Sequence, residues 1–554
     1  MDEILVKVEQ GIVRGSVAEN VEGRKYIVFQ GIPYAEPPVG DLRFKDPRPP
    51  LPWTGIHYAV KKKDKAAQID SKTGNIIGED DCLYLNLATN SLSGKKPVMV
   101  WIHGGAFSAS SGDLDSFGPD YLLKHDIVFV SINYRLGIFG FLNMEVEECP
   151  GNQGLKDQVF ALKWVQQNIE SFGGDKENVT IFGESAGSAS VHYHCISPLT
   201  TGLFQKAICQ SGVVINPWAF QDRNKDFAFE ITSALGKKTS DPIEAVRFLR
   251  TVASQKVLET QMKVPFKNST TINIPFLPTL DTKSSNPFLP RPLADLLKED
   301  IKVPLIIGYN SHEGMRFTET QEEMFKSLNN TFEERVAADL NLSDKSNVPM
   351  FAKDIKEFYF KKEPITLKER ENLIQYRGDY MFANGIQIIV ERQMERKTPT
   401  YFYRFSYNAE SSLLKRIAAN VNIEGADHAD ENYLLFYRPL LGRERQLKMG
   451  TKDYLAMERM SKMWCNFAKT GDPTPKIDEV ISTKWSPLLP NKKNYLEINN
   501  ELLSSEDPSK ESWNLWKPIL QSTNLKYMMN LMTTLIKRSL HLGGITTKPS
   551  LSPR

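Results

Sequence analysis

The sequence predicts an α/β fold: a mostly parallel, twisted central sheet with helices on both faces. Two observations carry that expectation. Short apolar runs rich in β-formers alternate with stretches of helical periodicity through much of the chain. A serine flanked by glycines, in NVTIFGESAGSAS (178–190), sits where a strand-like run gives way to small residues suited to a packed helix.

The elements follow in chain order. MDEILVKVEQGIVRG alternates apolar and polar residues and reads as an edge strand. It is acidic from the second residue and lacks the basic start and long apolar core of a signal peptide. PVMVWIHGG (97–105) and DIVFVSINYRLG (126–137) are buried strands that end in glycine. Over 154–172, Leu155, Val159, Leu162, Val165, Ile169 and Phe172 fall at steps of three and four, one apolar helix face stopped by Gly173 and Gly174. NVTIF, KVPLIIGYN (302–310), TYFYRFSY (400–407) and NYLEIN (494–499) continue the strands. Residues 220–300 and 318–395 are charged, helical and punctuated by proline, as expected of insertions that roof the sheet. A last helix is expected near 524–540, followed by a frayed tail over 541–554. With no repeat or low-complexity linker, residues 1–540 are expected to form one domain.

Composition narrows the function. The 554 residues carry a net charge of +2, with basic residues spread along the chain, which argues against a nucleic-acid partner. No run approaches the length of a membrane span. Five cysteines (Cys82, Cys149, Cys195, Cys209, Cys465) without CxxC spacing favour reduced thiols over a disulfide framework. The sequons at Asn178, Asn268, Asn329 and Asn341 matter only in a secreted chain.

Gly183-Glu184-Ser185-Ala186-Gly187 alone is weak: roughly one chain of this length in five would carry such a pattern by accident. Its context strengthens it. A serine on a strand-to-helix turn takes a strained backbone that bulky neighbours would obstruct, and the turn aims the helix N-terminus at whatever the hydroxyl attacks. The backbone N–H of Ala186 then becomes a donor for an anionic oxygen. A serine hydroxyl also needs a base, and in this topology the order is serine, acid, histidine. His57, His103 and His125 precede the serine. His192 and His194 lie in the following helix, His312 has no strand-end acid before it, and His541 lies in the tail. His428, in GADHADENYLLF (425–436), meets the order. Other carboxylates are plentiful, but Glu313 in LIIGYNSHEG (305–314) has the strand, turn and glycine context for an acid that orients an imidazole. WIHGGAF (101–107) places small residues directly after a buried strand, where free N–H groups can face a developing oxyanion.

Together these stretches resemble the type-B carboxylesterases of the carboxylesterase/cholinesterase family. The match runs nearly end to end: FQGIPYAEPPVGDLRF (29–44), EDDCLYLN (79–86), PVMVWIHGGAF (97–107), NYRLGIFGFL (133–142), GNQGLKDQVFALKWVQQNIESFGGD (151–175), VTIFGESAGSAS (179–190), FQKAICQSG (204–212), GYNSHEG (308–314), GADHADE (425–431) and WCNFAKTGDP (464–473). The resemblance is strongest to the intracellular insect α-esterases. It implies an α/β-hydrolase fold with Ser185 as nucleophile, Glu313 as acid and His428 as base. Gly105, Ala106 and Ala186 would be the oxyanion donors, Ser211 a support for acid and histidine, and Trp218 a wall of the acyl pocket. Phe107 is expected at the same pocket by adjacency. The activity implied is hydrolysis of esters of small to medium hydrophobic acids through an acyl-enzyme, as in detoxification or in xenobiotic, odorant or lipid-ester turnover. No metal or organic cofactor is implied, and organophosphates or carbamates are the implied covalent inhibitors. A noncatalytic or slow-turnover sequestering protein on the same fold is the alternative.

The departures from the family pattern are informative. The family pairs the cysteine of EDDCLYLN with one upstream, but residues 1–81 hold none, so Cys82 is expected free and the compartment cytoplasmic, with secretion the alternative. The loop before that motif lacks the tryptophan with which cholinesterases bind a quaternary ammonium, which argues against choline esters. Glu184 stands where juvenile hormone esterases usually carry glutamine, and Ala106 replaces the commoner third glycine.

Overall fold

The structure, a computed structural model, describes residues 3–70, 73–266, 273–318, 321–340, 345–361, 364–410, 423–438 and 447–522. Its centre is an eleven-stranded sheet. In chain order the strands are β1 (Ser16–Glu19), β2 (Lys25–Pro33), β3 (Tyr84–Thr89), β4 (Lys96–Ile102), β5 (Val128–Ile132), β6 (Gly174–Glu184), β7 (Lys206–Gln210), β8 (Leu305–Asn310), β9 (Thr400–Phe405), β10 (Asn494–Ile498) and β11 (Leu502–Glu506). Their spatial order is β11-β10-β9-β8-β7-β6-β4-β5-β3-β2-β1. From β5 across to β10 every pairing is parallel, and the flanking pairings are antiparallel. The expected strands therefore form the parallel block, as continuous apolar runs buried on both faces, together with β7, which sequence reasoning did not mark as a strand. In β4, Val98, Val100 and Ile102 enter one core and Met99 and Trp101 the other. The antiparallel strands β1, β2, β3 and β11 lacked so clear a pattern.

The chain leaves β4 for β5 on one side and returns to β6 on the other, so the winding direction switches between β4 and β6. At such a switch point the loops beyond the strands' C-terminal ends diverge and leave a crevice. The glycine-rich loop after β4 and the turn after β6 both open into it.

The helix expected at 154–172 runs over Gln153–Asn168, tightens into a 3₁₀ turn at Ile169–Phe172, and ends on Gly173 at φ 75°. The N-terminal strand, Leu5–Val8, is an edge strand, but of a separate three-stranded sheet with Gly11–Arg14 and Ile56–Tyr58. The two insertions are helical as expected, with one difference. Asn384–Met394, at the end of the second, packs on β8 and β9 as a crossover helix, because parallel neighbours must be joined across a sheet face. The expected terminal helix and tail, and the sequons at Asn268 and Asn341, lie outside the described residues. Asn178 is half-buried in β6, where its side chain accepts from Lys206. All five cysteines are free. Among the described residues no helix is long and apolar enough to cross a membrane.

Candidate active site

β6 runs into Ser185, and the helix Ala186–Ile196 begins at the next residue. Ser185 has φ 58° and ψ −124°, a combination that costs an L-residue conformational energy. Neighbouring contacts hold it there: its N–H donates to the Gln210 carbonyl at 2.8 Å, and its carbonyl accepts from Ala189. The flanking glycines are a steric requirement. A Cβ on Gly183 would lie 2.6 Å from the Ile102 oxygen, and one on Gly187 would collide with that same atom. The turn is thus pressed against the end of β4.

The loop beyond β4 supplies the second component. Gly105, Ala106 and Phe107 all have positive φ (105°, 55° and 56°), which turns successive amides toward the crevice. A Cβ on Gly104 would lie 3.1 Å from the Ser185 Cβ, so this loop passes directly over the serine. The Gly105 and Ala106 N–H groups carry no hydrogen bond among the described residues. The Ala186 N–H, first in its helix, has no partner within the helix, and the helix dipole adds to its positive end. These three amides, in the loop over Ser185 and at the residue after it, are therefore without a hydrogen-bond partner among the described residues.

The acid and histidine arrive from distant segments. β8 ends at Asn310, whose N–H donates to Glu313 Oε1 at 2.7 Å. Glu313 Oε2 accepts from His428 Nδ1 at 2.5 Å. The two loops are stitched together by a backbone bridge between His312 and Asp427, with the His312 N–H donating to Ala426. Gly425, at φ 128°, gives His312 room, since a Cβ there would overlap the imidazole. His312, excluded above as a base, therefore buttresses the loop that carries the base. The Phe382 ring lies 4.4 Å from the His428 ring, tilted by 37°, and Phe317 lies 5.6 Å away.

The imidazole lies between two carboxylates. His428 Nε2 approaches Glu184 Oε1 at 2.9 Å, but the approach is off the N–H direction: Glu184 Oε1 accepts no aligned hydrogen bond. Burial alone would lower the His428 pKa; Glu184 and then Glu313 outweigh it and raise it to about 10. Glu431, also fully buried, accepts from Gln210 at 3.1 Å and Asn310 at 2.5 Å. Burial, with Glu184 and Glu313 nearby, raises its pKa. Ser185 Oγ makes no hydrogen bond among the described residues, so serine and histidine face one crevice without that contact. Such bonds often tighten only around substrate.

The other expected positions sort as follows. Trp218 is 3% exposed, donates from Nε1 to the Met381 carbonyl at 2.8 Å, and lies 5.6 Å from Phe382. A Cβ on Gly212 would meet both its indole and the Ser185 carbonyl, which places the indole beside the elbow. Ser211 follows β7 at φ 59° with its hydroxyl buried and unpaired, so it makes no hydrogen bond to Glu313 or His428. Phe107 is fully buried, edge-on to Phe141 at 5.1 Å, behind the loop. Sequence reasoning missed Glu184 as a partner of His428, and it missed Glu431 and Phe382. Glu431 stands three residues after His428 and had that spacing as its only signal. Phe382 is delivered by a π-helical turn, Asp379–Ala383, which periodicity does not reveal.

The switch-point crevice, strained elbow serine, unpaired amides and buried histidine–carboxylate pair define an α/β-hydrolase. Comparison with known proteins refines this. The model of the carboxylesterase family matches residues 2–516, and the chain belongs to that family. Esterase FE4 of Myzus persicae is 36% identical over 505 residues, covering 88% of this chain and 87% of that protein. Juvenile hormone esterase of Tribolium castaneum is 36% identical, covering 85% and 84%. The crystal structure of juvenile hormone esterase from Manduca sexta, with OTFP covalently attached, superposes with a TM-score of 0.81 at 26% identity, covering 94% of this chain and 99% of that one. The chain is a carboxylic ester hydrolase.

Proposed function

We propose that the protein hydrolyses esters of small to medium hydrophobic acids through an acyl-enzyme on Ser185. The observation that carries this reading is the strained Ser185 turn beneath the Gly105, Ala106 and Ala186 amides, in one crevice with the Glu313–His428 pair. Neutral His428 removes the Ser185 proton as Oγ attacks the ester carbonyl, and the three N–H groups stabilise the oxyanion. Glu313 holds Nδ1 and stabilises the imidazolium, which then protonates the departing alcohol. Water activated by His428 releases the acid. Trp218 and Phe382 provide an apolar wall for the acyl chain. Organophosphates and carbamates, which mimic the tetrahedral intermediate or the acyl group, should modify Ser185. We further propose that residues 1–540 form a single domain, since no repeat or low-complexity linker divides them, and that the protein is cytoplasmic, with secretion the alternative, a reading supported by five free cysteines.

Ser185→Ala tests the assignment. Turnover of p-nitrophenyl butyrate should fall by about 10⁴-fold or more, and retention of most activity would refute it. Pre-steady-state kinetics separate efficient turnover from sequestration, since a burst followed by near-zero turnover would mark a sink.

A further inference from the structure

Glu313 and His428 meet at 2.5 Å across 115 residues of sequence, so their two loops must be held in register. Asp427, which takes no part in the hydrolytic steps, is placed to do this. It is 1% exposed, and each of its polar atoms is engaged. Oδ1 accepts from the His428 N–H at 2.7 Å and from the Arg316 N–H at 3.2 Å. Oδ2 accepts from Arg316 Nε at 3.3 Å. The Asp427 carbonyl accepts from Asn310 Nδ2 at 2.7 Å, and its N–H donates to Asp430 Oδ2 at 2.9 Å.

These contacts bracket the acid. Just before Glu313, the His312 N–H donates to the Ala426 carbonyl at 2.8 Å, and His312 forms a backbone bridge with Asp427. Just after it, Arg316, in the 3₁₀ turn Met315–Phe317, gives the Asp427 carboxylate both its N–H and its Nε. Either attachment alone would let the two loops pivot about it. One on each side of Glu313 fixes where its carboxylate meets Nδ1.

The same carboxylate holds the backbone of the base. The next residue, Ala429, has φ 65°, which an alanine keeps only where its surroundings impose it. The Asp430 N–H donates back to the Asp427 carbonyl at 3.1 Å and closes a turn around His428 and Ala429. Burial raises the Asp427 carboxyl to about 6, with Arg316 opposing the rise. The group is therefore a carboxylate at neutral pH, and its hydrogen bonds are charge-assisted.

We propose that Asp427 is a positioning residue for the base: its carboxylate locks the His428 backbone to the loop that carries Glu313, and so keeps Nδ1 aligned on the acid. This rests on the esterase reading above and adds a residue that acts through His428 and touches no reacting atom.

The test measures p-nitrophenyl butyrate hydrolysis by the full-length enzyme, with Asp427→Ala and Asp427→Asn each made in the wild type and in Glu313→Gln. In Asp427→Ala, kcat should fall about 100-fold, the scale of a small misplacement of a reacting group, with KM little changed. Asp427→Asn keeps an oxygen for the two backbone N–H groups but turns an N–H toward Arg316 Nε. Its kcat should fall about tenfold, as for loss of one charge-assisted hydrogen bond. In Glu313→Gln the alignment is already lost, so either substitution should cost little more there. A purely structural role would cost the same factor in both backgrounds. The downfield proton resonance of the Glu313-bound Nδ1–H should be lost from both Asp427 variants. Urea denaturation identifies the folded variants, and Asp427→Asn carries the comparison if the alanine variant does not fold. An unchanged kcat in folded Asp427→Asn, or equal losses in the two backgrounds, would overturn the inference and leave the esterase reading standing. If Ser185→Ala keeps wild-type turnover, or the wild type has none, both fall.

Discussion

The elbow at Ser185 and the segment carrying His428 meet at the proposed active site but are built in opposite ways. The elbow is local. Gly183, Ser185 and Gly187 lie within five consecutive residues, and their constraint is hard-sphere contact with the end of β4. The His428 segment is held by remote partners: Glu313 on its ring, Asn310 on the Asp427 carbonyl, Arg316 on the Asp427 carboxylate and His312 on its backbone. A steric rule is readable from a short motif. A network of charges from separate loops is not, and it can be retuned without disturbing the turn.

Substitutions that break the two regions should therefore behave differently. The largest effect expected is His428→Ala, which removes the proposed base while leaving the elbow intact. Turnover should fall by about 10⁴-fold or more with the melting temperature little lowered, and circular-dichroism melts beside esterase assays check both. Gly187→Ala should do the reverse, because the new methyl has no space against the Ile102 carbonyl. A destabilisation of about 3 kcal/mol is expected, read from urea denaturation, with activity lost alongside the fold. A variant of full stability would show that the turn relaxes more easily than its contacts imply.

Glu184→Gln sharpens the electrostatic half. Removing one carboxylate from beside His428 lowers the imidazole's pKa from about 10. The base works only when neutral, so wild-type kcat/KM rises with pH through that pKa, and the variant's acid limb should shift to lower pH. Stability carries the matching sign. A histidine whose pKa is raised on folding contributes stability that is full below its unfolded pKa and is lost as pH climbs toward the folded value. The fall in melting temperature between pH 6 and pH 10 should accordingly be shallower in the variant. An unmoved limb would mean that Glu184 does not act on the catalytic imidazole.

The smallest effect expected is at Ala106. If Ala106 is an oxyanion donor as proposed, its methyl narrows the space next to the ester carbonyl, so Ala106→Gly should raise activity on acids branched next to the carbonyl, relative to unbranched butyrate, by about tenfold. The φ of 55° adds a second consequence, since glycine occupies that region without strain. Stability should change little, because the relief is offset by a more flexible unfolded chain. Equal loss on all esters would assign Ala106 to loop geometry instead.

All the parallel strands but Lys206–Gln210 were legible, because strands buried on both faces are continuous apolar runs; KAICQ is short and mixes polar ends with its apolar middle. The helix at Gln153–Asn168 was legible from its single apolar stripe. The flanking antiparallel strands were less so, being short and only partly apolar, as in Ser16–Glu19. Within the site, Ser185, Glu313 and His428 came from chain order and from strand-end context. Phe382, Glu431 and the His428–Glu184 approach had no comparable signal, since each depends on segments far apart in the chain meeting at one point.

By itself, then, the sequence determined the layers of the fold and the strained serine turn, because each follows from periodicity or from steric demands within a few residues, and it nominated Glu313 and His428 from their order along the chain. Tertiary structure alone decided that Phe107 faces the core, that Ser211 leaves its hydroxyl unpaired, that Asn384–Met394 packs on the sheet, and that His428 lies between two carboxylates. Burial and long-range charge set those outcomes, and both depend on which distant residues the fold brings within a few ångströms of one another.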